Sequence, residues 1–310
     1  MIQEKRWLYV LKKRYLVKTW EQIGSQYDLA PWIERVEKYY TYDQNIFQSP
    51  FIPLLVKLKS EDVFSAYLEA EEGYDLIRSA FNWSFNGRRM EYRYETGRST
   101  PINKIPPAPT FGVFDENNNF DKLWFTTFPS RDYKKVDLDQ TRLSLAENLL
   151  KYFNKQSETS VKKLIVKAFR QHCIALDNEN WPYCYLSLWQ ILELMAFGPG
   201  EGNYSHKDVE KRIRTLLKSN DQFLDDLLRY LYSQRNRLVH LGNFSDKGNE
   251  DVQLLKMVVE NSLLTLMSIE RFCPTWEKLD IYYQNANSDV SIIKKRMAVL
   301  SKIEKRKTAH

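Results

Sequence analysis

A run of helical sequence patterns extends from about Asp139 to Pro274 and leaves little room for another architecture. Apolar residues recur there at the three- and four-residue spacing of an amphipathic helix, in one segment after another. Start and stop signals separate the segments, among them an acidic N-cap at Asp139, a glycine-rich break after Phe197 and a glycine at position 242. Successive helices must bury their apolar stripes against one another. The sequence therefore predicts a mainly α chain with a helical bundle domain over residues 139–275.

The residues before this run have a mixed pattern. Residues 1–90 are mostly helical in pattern, whereas the following stretch is punctuated by prolines and then alternates between apolar and polar residues around Asn117 to Asn119. Such alternation around an Asn-rich turn is typical of a β-hairpin. We therefore expect a smaller α+β region with a β-hairpin over residues 1–138, and a basic helix or tail over residues 276–310.

The composition indicates a folded protein without a membrane span. Of the 310 residues, 43% are hydrophobic and 14% aromatic, and no run approaches the roughly eighteen apolar residues that a spanning helix needs. The N-terminus intersperses basic and apolar residues, unlike a secretory signal. The three cysteines, Cys173, Cys184 and Cys273, form no CxxC pair. Reduced core thiols and a cytoplasmic location are therefore expected.

Positive charge is concentrated at the two ends of the chain. The net charge is +6, yet residues 1–20 carry six Lys or Arg against one Glu, and residues 281–310 carry seven against two acidic residues. The residues between them carry 33 basic and 37 acidic side chains. Basic ends on a mildly acidic body favour attraction to a polyanion. Solvated termini without a binding role are the alternative.

Three polar residues stand out near the end of the otherwise apolar segment DQFLDDLLRYLYSQRNRLVHLG. Leucines between Leu224 and Leu241 mark a core stripe, and Arg235 falls only about 40° from its centre on a helix that turns 100° per residue. A charge at such a position is costly unless it is paired. Asn236 and His240 are four residues apart and share a face away from the stripe. Because Arg235 and His240 point about 140° apart on a straight helix, they converge only if Arg235 reaches around, the last turn distorts or a second helix completes the site.

A second misplaced charge lies in the segment YLSLWQILELMAF. Glu193 is the only charged residue of this pattern, which is apolar on nearly every face, so the helix should be largely buried. A buried carboxylate needs a cation or several hydrogen-bond donors. A contact between Glu193 and Arg235 would satisfy both groups. A purely structural buried ion pair explains the same pattern.

The remaining histidines and the glycine-rich loop are weaker candidates. His172 lies beside Cys173 in a mixed helix, His206 is at a helix start, and His310 is terminal. None shares a metal-ligand spacing with another, so no metal or cofactor is expected. The loop GPGEGNYS lacks the Gly-Lys-Ser/Thr of a phosphate-binding loop, which argues against a nucleoside triphosphatase. Taken alone, His240 is also explained as a favourable partner for the helix dipole.

The segment RNRLVH fits the Arg-x4–6-His signature of the HEPN superfamily, with a polar Asn directly after the Arg. Together with the preceding YLSLWQILELM helix, it resembles the ApeA-like HEPN group of bacterial defence systems over residues 140–275. The resemblance implies a helical bundle that forms a homodimer and brings two such motifs into one cleft. It also implies catalytic roles for Arg235 and His240, support from Asn236, and positioning of Arg235 by Glu193.

The activity that this resemblance implies is metal-independent RNA cleavage in toxin–antitoxin or abortive-infection defence. A tRNA or mRNA substrate supplies its own nucleophile in the 2′-hydroxyl, so the protein needs only proton transfer and charge stabilisation. His240 can transfer protons near neutral pH, and Arg235 can stabilise the phosphate in the transition state. The expected products are a 2′,3′-cyclic phosphate and a 5′-hydroxyl. An antitoxin, a trigger or another defence-system protein is an expected partner, with the N-terminal region as a sensor or regulatory element.

Two alternatives from other functional classes fit the same sequence. A catalytically inactive HEPN-like RNA-binding, regulatory or scaffold protein would use the basic ends without needing His240. A helical interaction module would bind no nucleic acid at all. Loss of binding with rising salt separates an RNA-binding protein from such a module.

Overall fold

The computed structural model describes residues 60, 62–90, 94–95, 98–99, 101–107, 110–114, 120–125, 139–154, 159–198, 205–217 and 221–307. Within these ranges the chain is mainly α, as predicted. The helices are α1 Val63–Asn86, α2 Gln140–Phe153, α3 Ser160–Leu176, α4 Trp181–Phe197, α5 His206–Leu217, α6 Gln222–Leu241, α7 Gly248–Ile269, α8 Trp276–Asn285 and α9 Val290–Lys307.

Among the described residues, four short strands lie between α1 and α2 and form two antiparallel pairs. β1 (Tyr94–Glu95) pairs with β2 (Arg98–Ser99), and β3 (Thr110–Phe114) pairs with β4 (Phe120–Phe125). The turn expected at residues 117–119 lies outside the described residues.

The described residues fall into two compact units. The first lies within Met1–Gln156 and His172–Glu179, and the second lies within Ser157–Gln171 and Asn180–His310. Helix α2 and the end of α3 therefore belong to the first unit, although the sequence-based division starts the helical domain at residue 139. All four residues proposed for the site lie in the second unit.

The first unit has a buried polar network beside α1, which is buried continuously from Ile77 onward. The guanidinium of Arg78 donates to both carboxylate oxygens of Asp177, at 2.8 and 2.7 Å. Asn103 donates to the carbonyl of Cys173 and to Asp177, each at 2.7 Å. Because burial raises the pKa of the Cys173 thiol to about 12, this thiol is protonated at neutral pH.

Helix α4 forms the centre of the second unit, where it packs against α7 and α5. Its N-cap is Asn180, and Pro182 occupies the first turn, where its missing amide donor costs nothing. The helix is largely buried, as predicted. The buried hydroxyl of Tyr185 donates to the carbonyl of Leu231 at 2.6 Å, which fixes α6 against α4. The same burial raises the pKa of Tyr185.

Helix α6 begins at the N-cap Asp221 and ends at Gly242, which has a left-handed backbone (φ 65°) that glycine adopts without strain. The predicted core stripe is only partly correct. Its first half is buried, but Leu241 is 67% exposed, and the buried position beyond Leu231 is taken by Gln234. The last two turns of α6 therefore emerge from the bundle.

Two predictions from composition concern burial. The three cysteines, Cys173, Cys184 and Cys273, are buried and unbridged, which confirms the expectation of core thiols.

Within the described ranges, α7 is long and apolar enough to cross a membrane by length and composition alone, although no such span was expected. Of its most apolar stretch, 61% is buried inside the fold. Such burial is typical of a core helix.

Candidate functional site

Arg235, Asn236 and His240 lie in the last two turns of α6. The helix continues through Leu241, so the last turn does not bring the motif together by distortion. Arg235 follows the buried Leu231 by one turn and therefore lies on the side of α6 that packs on α4. His240 points about 140° away from it and is exposed.

The predicted contact between Glu193 and Arg235 is present. Arg235 Nη2 lies 3.9 Å from Glu193 Oε1, and the two side chains are 28% and 40% exposed. The same carboxylate oxygen accepts a hydrogen bond of 2.8 Å from the indole nitrogen of Trp189. Glu193 is thus held in place by Trp189, and Arg235 lies beside it at the limit of ion-pair distance.

The exposure of this pair argues against a structural buried ion pair. A buried Arg–carboxylate pair is stable only with short, bidentate hydrogen bonds, such as those between Arg78 and Asp177. A solvated pair at 3.9 Å contributes only about 0–1 kcal/mol to stability. Arg235 is thus paired with Glu193, as expected, but its side chain is partly exposed and not fully buried. Its guanidinium keeps donors available for a ligand.

Asn236 lies directly beside this guanidinium. Its side-chain oxygen accepts a hydrogen bond of 3.3 Å from Arg235 Nη1. The structure brings Glu193, Arg235 and Asn236 together, whereas among the described residues His240 contacts none of the three. Three of the four expected site residues thus lie together in one chain, and His240 lies on the other side of the helix.

Sequence reasoning missed an aromatic column next to Arg235. The ring of His206 stacks on the ring of Tyr232, with centroids 4.2 Å apart and planes 8° from parallel. Tyr232 in turn packs on the buried Trp189, with centroids 5.7 Å apart. Tyr232 was detectable, because it precedes Arg235 by three residues and shares its helix surface. His206 was not, since only the packing of α5 against α6 brings it there.

Among the described residues, the other histidines and the basic helix α9 are not part of the cluster formed by Glu193, Arg235 and Asn236. His172 is buried, with its ring 5.4 Å from that of Trp83, which supports the structural role expected for it. His310 and residues 1–20 lie outside the described residues. Helix α9 exposes basic side chains such as Lys294 beside apolar ones such as Met297. Over the described ranges, no group of three or more His, Cys, Asp or Glu that could hold a metal ion is found.

No family model matches the chain, and neither a curated protein nor a solved structure is significantly similar to it.

Proposed function

We propose that the second unit is a HEPN-like helical bundle, preceded by a smaller α+β region with a β-hairpin, and that the chain is a metal-independent endoribonuclease. The observation that carries the proposal is the state of Arg235. Its guanidinium is partly exposed, loosely paired with Glu193 at 3.9 Å, and hydrogen-bonded to Asn236. A guanidinium so placed can exchange weak partners for a phosphate, which it binds with two parallel hydrogen bonds.

In the proposed reaction, the 2′-hydroxyl of RNA attacks the adjacent phosphorus and the 5′-oxygen leaves. His240 acts as general acid or base, Arg235 stabilises the charge on the phosphate oxygens, and Asn236 orients the phosphate. Glu193, which is fixed by Trp189, keeps Arg235 in place. The products are a 2′,3′-cyclic phosphate and a 5′-hydroxyl, so the leaving oxygen takes the proton that the 2′-hydroxyl loses.

The proposed site is formed by two copies of the chain. Arg235 and His240 lie about 140° apart on a continuous helix, so a second copy can supply the missing half of each site. Val239 and Leu241, on either side of His240, are 47% and 67% exposed. A two-fold dimer is the simplest closed arrangement of two such copies.

The proposed biological setting follows from the sequence resemblance. We place the protein in the cytoplasm, as the toxin or abortive-infection effector of a bacterial antiphage defence system. The N-terminal region would be its sensor or regulatory part, and an antitoxin or trigger its partner. The exposed basic side chains of α9 supply positive charge that would attract RNA.

The experiment that tests this function is cleavage of total tRNA and of synthetic mRNA fragments by the purified chain in EDTA. Arg235→Ala and His240→Ala are compared with Arg229→Ala, which removes an Arg that is 66% exposed on the same helix. We expect cleavage by the wild type and by Arg229→Ala only. The products should carry 2′,3′-cyclic phosphates, and a single 2′-deoxy substitution should block the cleavage site.

Four outcomes contradict the proposal. Cleavage that requires a divalent ion, or that continues at a 2′-deoxy site, excludes the mechanism. Cleavage that survives His240→Ala excludes the assigned acid–base residue. If the purified chain binds RNA in a salt-sensitive way, and RNA stays intact both with the purified chain and in cells under phage infection, the catalytically inactive RNA-binding alternative is correct.

A further inference from the structure

The column formed by Trp189, Tyr232 and His206 reaches from the core to the surface beside Arg235. We propose that its outer part, His206 and Tyr232, is a subsite that stacks one unpaired nucleobase of an RNA strand whose phosphate lies on Arg235. This inference rests on the proposed RNA substrate and adds how the strand is held.

The column is anchored at its inner end. Trp189 is only 2% exposed and donates its indole hydrogen to Glu193. Tyr232, packed on Trp189, is partly exposed, and so is His206, the first residue of α5. The position of the outer rings is therefore set by the same tryptophan that holds the carboxylate beside Arg235.

The geometry of the outer rings resembles that of stacked bases. His206 and Tyr232 are 8° from parallel with their centroids 4.2 Å apart, which is a stacked and not an edge-to-face contact. Unpaired RNA bases bind to proteins by continuing such stacks on Tyr and His rings. A base that extends this column adds one more ring to an existing series.

Both outer rings also have polar atoms that a base edge could use. Among the described residues, the imidazole nitrogens of His206 and the hydroxyl of Tyr232 take part in no hydrogen bond. These atoms are therefore suited to hydrogen bonds with a ligand.

The subsite and Arg235 share one part of α6. Tyr232 and Arg235 are three residues apart, so their Cβ atoms are about 5–6 Å apart on one helix surface. Because His206 covers one face of Tyr232, the base would stack on the outer face of His206, with a phosphate of the same strand on Arg235. The pair of contacts selects unpaired RNA, because a base within a duplex has no free face.

The test is binding of the full-length chain to a single-stranded oligonucleotide whose sugars are all 2′-O-methylated, so that no cleavage can occur. One position carries 2-aminopurine, whose fluorescence falls when it stacks, and this position is moved along the strand. We expect quenching at one position. His206→Ala and Tyr232→Ala should each abolish the quenching and weaken binding about 5- to 150-fold, the usual range for loss of a stacked base.

Matched variants separate stacking from a structural role. Phe223→Ala removes a 70% exposed aromatic ring from the same helix and should leave binding unchanged. His206→Phe keeps a stacking ring, so it should bind within about threefold of wild type if the subsite works by stacking. An abasic residue at the quenched position should weaken wild-type binding and add no further loss to His206→Ala.

The subsite is excluded if a folded His206→Phe loses as much binding as His206→Ala, or if His206→Ala weakens binding equally with and without the base. Because the probe cannot be cleaved, the two proposals fail separately. Stacking with no cleavage of natural RNA would exclude the nuclease and keep the subsite. Cleavage that depends on Arg235 and His240 but not on His206 or Tyr232 would exclude the subsite and keep the nuclease.

Discussion

Glu193 Oε1 accepts a 2.8 Å hydrogen bond from Trp189 and lies 3.9 Å from Arg235 Nη2. The carboxylate is thus held by the indole and not by the guanidinium. Arg235, in contrast, is located by its helix and oriented by the charge of Glu193 and the amide of Asn236. This arrangement keeps Arg235 in place, and little free energy is lost when its guanidinium exchanges Glu193 for another partner.

Glu193→Gln should therefore affect activity more than stability. Glutamine keeps an acceptor for Trp189 but loses the charge, and a solvated ion pair contributes only about 0–1 kcal/mol. We expect the free energy of unfolding to change by less than about 1 kcal/mol and kcat for RNA cleavage to fall roughly 10- to 100-fold, as for a slightly misplaced catalytic group. KM should stay nearly constant, because phosphate binding by Arg235 is retained.

Glu193→Ala is the control for this prediction, since it removes the acceptor of Trp189 as well and should be the less stable variant in urea denaturation. A loss of about 3 kcal/mol or more in Glu193→Gln would instead indicate a structural ion pair.

Tyr185→Phe tests how α6 is fixed beneath the site. The buried hydroxyl of Tyr185 donates to the Leu231 carbonyl at 2.6 Å, one turn before Arg235. Removal of this hydroxyl should lower the free energy of unfolding by about 1 kcal/mol, or by up to about 3 kcal/mol if the desolvated carbonyl finds no other donor. Urea denaturation measures the change. Tyr183→Phe changes a residue of α4 that is 61% exposed, and it should leave the free energy of unfolding unchanged.

The sequence was sufficient to predict the contact between α4 and α6. Glu193 and Arg235 each contradict the apolar pattern of their own helix, and opposite charges in two helices of one bundle imply a pairing. The burial of the pair was not predictable in the same way. Periodicity gives the direction of a side chain around its helix, but not where along its length the helix leaves the core, and the last buried residue of α6 is Gln234.

The position of His206 shows a different limit of prediction from sequence. Its sequence neighbours indicate only a helix start, where the hydroxyl and the backbone amide of Ser205 donate to the Asp208 carboxylate. Its ring partner Tyr232 lies in another helix, so the stack depends on tertiary packing. A local pattern in one sequence does not contain that information.

Asp208→Asn should change stability in a pH-dependent way. Hydrogen bonds from the Ser205 hydroxyl and backbone amide hold the pKa of Asp208 below its ordinary value of 3.8. A carboxyl with a lowered pKa stabilises the native state above pH 3.8, and this contribution disappears as the pH falls through the lower folded value. Asp208→Asn keeps an acceptor for Ser205 but loses the charge, so it should be less stable than wild type at pH 6 by about 0.3–1 kcal/mol, as for an exposed charge in the first turn of a helix.

The difference between the two proteins should shrink as the pH falls from about 5 to about 2. Thermal unfolding across this range measures it, with Asp246→Asn, at an exposed position between α6 and α7, as the control. A difference that stays constant with pH would mean that the charge of Asp208 does not stabilise the start of α5. Because this cap sets the position of His206, the variant should also reduce 2-aminopurine quenching.

Co-expression of Arg235→Ala with His240→Ala tests whether two chains share a site. If Arg235 of one copy acts with His240 of the other, a mixed dimer has one site that lacks both residues and one that is intact. Random pairing makes half of the dimers mixed, so the preparation should recover about a quarter of wild-type activity. Each variant alone should be inactive.

Mixed dimers isolated by two different affinity tags should have about half of wild-type activity, and Arg229→Ala paired with His240→Ala provides the matched comparison. Inactive mixed dimers that are otherwise stable would mean that Arg235 and His240 act within one chain, and α6 would then have to unwind near its end when RNA binds.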